Sequence, residues 1–189
     1  MMNLKEKFEE FSKQGVTLEK QGINSKVLLV DALNSYVRCF AATPTMNDDG
    51  EHVGGVTGFL KSVGLAIRQF KPSRVVLIFD GKGGSKKRRA LYEGYKDNRR
   101  PLARLNRTYN FNSPDQEKEA MRWQLRLLID LCSNLPVSVV AMDDIEADDA
   151  IAYMAHTVRD LDGKSIIMST DKDFLQLVGD SCSVYNPIK

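Results

Sequence analysis

Four runs of consecutive apolar positions punctuate the chain: KVLLVDA (26–32), RVVLIFD (74–80), VSVVAMD (137–143) and KSIIMST (164–170). Each is short and rich in β-branched residues, and none alternates with polar positions. That is the pattern of strands covered on both faces, as in a parallel sheet packed between helices. SVYNP (183–187) is a candidate fifth strand. Between the runs the period changes to that of a helix. GVTGFLKSVGLAIRQF (55–70) places Phe59, Val63, Ala66, Ile67 and Phe70 on one face. PDQEKEAMRWQLRLLIDLCSNL (114–135) opens with Ser113 as N-cap and a proline in the first turn. EADDAIAYMAHTVRDL (146–161) turns Ala147, Ala150, Ile151 and Met154 inward. Strands alternating with helices predict an α/β fold with a central, mainly parallel sheet.

Two stretches fall outside this alternation. Residues 3–14 repeat Leu4, Phe8 and Phe11 at helical spacing, so 1–25 read as an N-terminal helical extension, packed on the body or on a partner. Residues 82–112 show no core periodicity, the pattern of a loop that is mobile or that only a partner orders.

The length of 189 residues suffices for one domain with a real core. No apolar run approaches the ~18 residues of a membrane-spanning helix, and the charged N-terminus lacks the apolar centre of a signal peptide. Three scattered cysteines, Cys39, Cys132 and Cys182, predict buried thiols in a reducing cytoplasm, with neither a disulfide frame nor a zinc site. The net charge of +2 conceals an uneven distribution. Residues 82–107 carry ten Lys or Arg against Glu93 and Asp97, net +8, which leaves −6 for the rest. Such a strip is a footprint for phosphate backbones, or a solvated loop.

The acidic residues are the sharper signal. MDDIEADDAIAY (142–153) crowds Asp143, Asp144, Glu146, Asp148 and Asp149 into seven positions among apolar residues. Like charges about 4 Å apart repel by roughly 1 kcal/mol even in water, so the cluster needs compensation. Asp31 and Asp80 end the first two strands, and Asp171 and Asp173 follow the fourth. Ligands of open parallel sheets bind beyond the carboxyl ends of the strands, where all these acids collect. Helix capping explains one acid, such as Asp144 or Asp143, but explains four coincident strand ends poorly. The donors are hard oxygens without a His or Cys pattern, which points to Mg²⁺, with Mn²⁺ able to substitute. Asp31, Asp80, Glu146, Asp148, Asp149, Asp171 and Asp173 outnumber the needs of one such ion. Two ions about 3.5–4 Å apart would use them, and that arrangement suits in-line attack on a phosphodiester.

These motifs resemble the phage ribonuclease H and flap endonuclease group, 5′-nucleases related to the N-terminal domain of bacterial DNA polymerase I. The likeness covers roughly residues 25–189. LLVDALNSYVRCF is similar to the first acidic motif, with Arg38 at the phosphate-binding arginine and Ala32 where glycine is usual. GGVTGFL (54–60) is similar to the glycine-containing helix start that approaches DNA, through Gly55 and Gly58. LIFDG supplies Asp80, DDIEADDAIA the central acids, and STDKDFLQL the last pair. KKRRALYEGYKDNRRP (86–101) resembles the basic pattern of the family, with Arg88, Tyr95, Lys96 and Arg99 at matching positions.

The resemblance implies a PIN-like or resolvase-like three-layer domain over 26–189, with a basic helical arch at about 82–112. It implies that Arg88 and Lys96 clamp the scissile phosphate, and that Lys86, Lys87, Arg89 and Arg100 assist at the backbone. The substrate would be DNA or an RNA–DNA hybrid with a single-stranded 5′ end, cut in primer or flap removal by a monomer working with replication proteins and no membrane. Interleaved Tyr92, Tyr95, Tyr109 and Phe111 suit stacking on bases or ordinary packing equally. The family pattern continues past VYNPIK into a helix–hairpin–helix module that this chain lacks, so a non-catalytic structure-specific binder, or half of a split nuclease, is the alternative. A small-ester phosphohydrolase is disfavoured: there is no Walker-type loop, and VDALN lacks the second aspartate of a D-x-D motif. A PIN-type ribonuclease would share the acidic edge without so long a basic segment.

Overall fold

The computed structural model describes residues 25–83 and 104–188. Five strands, β1 (Lys26–Asp31), β2 (Arg74–Asp80), β3 (Ser138–Met142), β4 (Lys164–Met168) and β5 (Cys182–Tyr185), form one sheet in the order β3-β2-β1-β4-β5. Every ladder between them is parallel. Helices α1 (Ala32–Ala42) and α2 (Gly54–Phe70) join β1 to β2, α3 (Pro114–Ser133) precedes β3, and α4 (Ala147–Asp160) leads to β4. A 3-10 helix, Lys172–Leu177, connects β4 to β5. Among the described residues no helix is long and apolar enough to cross a membrane.

The continuous apolar runs follow from two covered faces. Leu28, Val30, Val75 and Leu77 pack with Phe40, Phe59 and Leu128 of the α1, α2 and α3 layer. Leu29, Val76, Ile78 and Ile167 point the other way and pack with Ile151, Ala155 and Phe174. Successive strand residues alternate faces, so both sets must be apolar. The fold is a three-layer α/β domain.

The connectivity locates the functional edge. From β1 the chain moves outward to β2 and β3, and α4 then carries it back to the opposite side of β1 for β4. The order reverses between β1 and β4, and at such a switch point the loops diverge and leave a crevice at the carboxyl edge.

Two elements differ from the sequence reading. Helix α1 follows β1 without a loop, because Asp31 ends the strand and also caps the helix. Its buried residues Ala32, Ser35, Tyr36, Cys39 and Phe40 keep helical spacing, hidden behind the acidic motif they share. The fifth strand begins at Cys182, before the expected 183.

Candidate metal centre

Asp31 sits at the centre of the carboxyl edge. Its Oδ1 accepts the Asn34 N–H at 3.4 Å, closing the first turn of α1, and its Oδ2 accepts the Ser169 hydroxyl at 2.8 Å. Burial pushes the Asp31 carboxyl from 3.8 up to about 6, the two hydrogen bonds pull against that rise, and the carboxylates of Asp80 and Asp171 add to it. Acids from β1, β2 and the turn after β4 therefore share one electrostatic neighbourhood.

Strand register places the rest. Asp31 pairs with Ile78, so Asp80 stands two residues further along the neighbouring strand. Asp80 pairs with Met142, which puts Asp143 and Asp144 just past the edge. Asp80 Oδ1 accepts the Ala147 N–H at 2.8 Å. Glu146 holds the N-cap position of α4 without a side-chain cap bond, so Asp80 caps this helix from another strand. From sequence, capping by Asp144 or Asp143 stood only as the alternative to a metal site. Asp144 instead adopts a left-handed backbone (φ 61°) in the turn, its N–H donating to Lys82 O at 3.0 Å.

Gly81 makes the arrangement possible. A Cβ at this position would lie 1.6 Å from the Met142 carbonyl oxygen, so only glycine lets the end of β2 press against the β3–α4 turn. The same contact delivers Asp80 to the first N–H of α4.

Glu146 is buried, Asp148 is partly buried, and Asp149 is exposed in the first turn of α4. Asp171 caps the 3-10 helix through the Asp173 N–H at 3.0 Å, and both acids are exposed. Asp148 Oδ1 accepts the Asp149 N–H at 2.9 Å. Among the described residues, no three acidic, His or Cys side chains stand close enough as placed to hold a metal ion. The strand ends bring the acids to one rim, where Asp31, Asp80, Asp148 and Asp171 accept from N–H or hydroxyl donors. The bonds from Ala147 and Asp173 engage Oδ1 of Asp80 and of Asp171, and each carboxylate has a second oxygen that a cation could meet after a small side-chain rotation. The donor set suits a hard divalent cation: all oxygen, with the central carboxyl resisting ionisation because it is desolvated and faces two others.

Three polar side chains on this rim carried no weight in the sequence reading. Ser169 orients Asp31, and the Asp171 N–H donates to the Ser169 hydroxyl at 3.1 Å. The Thr170 hydroxyl donates to Asn34 Oδ1 at 2.8 Å, a second bond across the switch point. The signal was available: MSTD places two hydroxyls between a buried strand and an acid, and DALN places an amide one turn after another acid.

Arg38 lies on α1 seven residues beyond Asp31, two turns along the same side. Its Nε and Nη2 are buried, without a hydrogen-bond partner among the described residues. Gly55 and Gly58 face the protein interior. A Cβ on Gly55 would meet the Tyr36 ring at 2.7 Å, and one on Gly58 would meet Thr43 Oγ1 at 2.5 Å. Close packing of α2 on α1 is sufficient reason for both glycines.

Lys86, Lys87, Arg88, Arg89, Tyr95, Lys96, Arg99 and Arg100 lie outside the described residues, as do 1–24. The far end of the basic segment is described and departs from expectation. Residues 104–112 pack against the body, with Asn106 buried and Leu105 and Phe111 against the core. The Phe111 ring stacks on Phe40 with centroids 5.9 Å apart, and Tyr109 lies 4.7 Å from Phe111. Ring packing engages both of these partly exposed aromatics. Their spacing gave no core period because they fill a gap beside α1 and lie on no regular element.

A parallel sheet of this order, with acids gathered at its carboxyl edge around the switch point, defines a resolvase-like α/β domain. The chain belongs to the family described as 5′-3′ exonuclease, N-terminal resolvase-like domain, whose model matches residues 26–189. It is 34% identical over 150 residues to a flap endonuclease Xni of Shewanella woodyi, covering 79% of this chain and 52% of that protein. It is 31% identical over 166 residues to a 5′-3′ exonuclease of Bacillus subtilis, covering 85% and 50%. The chain thus spans about half the length of these relatives. The fold is shared with the phage T5 5′-exonuclease solved with divalent metal ions (zinc) bound, at a TM-score of 0.65 and 20% identity over 85% of this chain and 54% of that one.

Proposed function

We propose that this chain is the catalytic part of a divalent-metal-dependent 5′-nuclease, hydrolysing phosphodiesters of DNA or of RNA paired to DNA near 5′ ends or single-strand–duplex junctions. One observation carries the reading: Asp31, desolvated at the switch point, faces the carboxylates of Asp80 and Asp171 from two other segments. The acid-rich start of α4 stands beside them, joined to Asp80 through Ala147.

The metal ligands are Asp31, Asp80, Glu146, Asp148, Asp149, Asp171 and Asp173, holding Mg²⁺, with two ions and possible replacement by Mn²⁺. When bound, such ions supply hydroxide near neutral pH and stabilise charge on the scissile phosphate. The protein supplies the rest. Ser169 and Asn34 fix the orientation of Asp31, while Asp80 holds the start of α4 against β2. Arg38, whose Nε and Nη2 are buried as placed and lack a hydrogen-bond partner among the described residues, would meet a backbone phosphate by turning outward. Arg88 and Lys96 clamp developing charge on the reacting phosphate, and the other cations of the basic arch neutralise neighbouring phosphates without reading sequence. The arch spans a shorter stretch than 82–112, since residues from 104 onward belong to the body.

The test is cleavage of a 5′-labelled flap duplex by this chain with Mg²⁺, with Mn²⁺ and with a chelator. Metal-dependent cleavage near the junction is expected. Binding of the flap without cleavage under every condition would replace this reading with that of a structure-specific binder.

A further inference from the structure

A buried polar network lies away from the acidic rim, and the proposed reaction leaves it unused. It begins where the C-terminus of α1 meets the N-terminus of α2. Helix ends leave carbonyls and N–H groups without intrahelical partners, and buried ends must find partners elsewhere. Val53, the N-cap of α2, provides no side-chain cap bond. The Gln124 amide of α3 does this work: its Oε1 accepts the Gly55 N–H at 2.9 Å, and its Nε2 donates to His52 O at 2.6 Å. His52 Nε2 lies 2.9 Å from Thr43 O, just past the end of α1.

The remaining partners come from the foot of the basic segment. Asn106 is 1% exposed, and its Nδ2 donates to the Phe40 carbonyl in the last turn of α1. The Arg107 N–H donates to Ala41 O at 2.9 Å. Asn106 Oδ1 accepts the N–H groups of Thr108 and Tyr109, at 2.9 and 2.8 Å. The buried Glu117 carboxylate accepts the N–H groups of Leu105 and Asn106. One amide side chain therefore shapes its own turn with its oxygen and ties that turn to α1 with its nitrogen. The helix it grips carries Asp31 at the other end and Arg38 between.

We propose that Asn106 is a positioning residue, seated by Gln124, His52 and Glu117, that sets the foot of the basic segment in fixed register with α1 and hence with the acidic rim. The inference rests on the nuclease reading for its effect on rate, but not for its geometry. A clamp that neutralises phosphates works only at a set distance from the reacting atoms, and a misplacement of about 1 Å can cost roughly a hundredfold.

Asn106→Ser tests it without changing charge. The hydroxyl still accepts from the N–H two residues on but is too short to reach Phe40 O. Spin labels on Asn110→Cys and Lys172→Cys report the separation of the foot of the segment from the rim in the full chain, since the three native cysteines are buried. The expected result is a shifted or broadened distance distribution, with kcat for flap cleavage down roughly tenfold or more. The salt slope of DNA binding should be unchanged, because every cation is kept. A superimposable distribution overturns the proposal, as does an altered one with parental kcat at temperatures where both proteins are folded. A fall in melting temperature alone marks Asn106 as merely structural. If the parent chain does not cleave flaps, the nuclease reading fails and the distances alone decide this inference. Should Asn106→Ser not fold, Gln124→Met, of similar size and without the cap bonds, is judged by the same two measurements.

Discussion

The Ser169 hydroxyl donates to Asp31 Oδ2 at 2.8 Å, bridging the ends of β1 and β4 where the strand order reverses. The two residues are 138 positions apart in sequence and meet only because α4 carries the chain back across the sheet. The bond leaves Asp31 fixed in orientation yet hard to ionise, since burial outweighs the help of its donors. A divalent cation would relieve that penalty.

The first prediction concerns stability against pH in the absence of divalent ions. The folded carboxyl of Asp31 titrates near 6 and its unfolded counterpart near 3.8, so the folded state binds the extra proton between these values. Stability from this group is full below the unfolded value and is lost as pH rises through the folded one. Asp31→Asn should melt higher than the parent at pH 8 in chelator and should remove this part of the decline. Equal melting temperatures at pH 8 would count against the buried, acid-facing placement of Asp31.

A second prediction separates chemistry from binding. Asp149→Asn and Asp171→Asn each remove one negative charge from the rim and leave the cations intact. Both should abolish cleavage while flap affinity stays within a few-fold of the parent, measured by fluorescence anisotropy. Parental cleavage rates would remove both residues from the site.

The basic segment makes a third. Arg88→Ala and Lys96→Ala should slow cleavage and weaken binding, and each lost phosphate contact should reduce the salt slope by about 0.7 for a single strand. Unaltered slopes in both variants would show that neither side chain contacts the backbone.

His52 gives a pH effect of opposite sign. Burial lowers its pKa below the usual 6.5, against the raising influence of the Thr43 carbonyl. Thr43 O can only accept, which calls for a hydrogen on Nε2 and leaves Nδ1 to accept from Gln124 Nε2 at 3.2 Å, although Asn106 Nδ2 also lies 3.2 Å from Nε2. Tyr109 and, through Asn106, Glu117 are the titratable groups that approach it. A base with a depressed folded pKa gives stability that is present above about 6.5 and lost as pH falls through the folded value. His52→Gln should flatten the acid side of the profile relative to the parent.

Gly81→Ala tests the geometry that delivers Asp80. A methyl group 1.6 Å from Met142 O cannot be accommodated without moving the β3–α4 turn. Destabilisation of about 3 kcal/mol or more is expected in denaturant unfolding. A loss below about 1 kcal/mol would mean that this contact is loose.

By itself the sequence determined the layers and the edge. Strands covered on both faces leave continuous apolar runs, and helices leave the 3.6-residue period, because burial in each is local and periodic. The acids at the ends of those runs were legible for the same reason: a strand's carboxyl end is a position along the chain. Tertiary structure alone decided which acid caps which helix, since Asp80 reaches Ala147 across 67 residues and displaces the adjacent Asp144 from that role. It decided that Phe111 packs against the core with Tyr109 beside it, and that Asn106, Gln124 and Glu117 join two helix ends, because irregular segments bury side chains without a period. The partnership of Ser169 with Asp31 likewise depends on strand order, which local pattern does not encode. Hydrophobic period is a property of neighbours in sequence, whereas a hydrogen bond between remote segments exists only once the sheet has set its register.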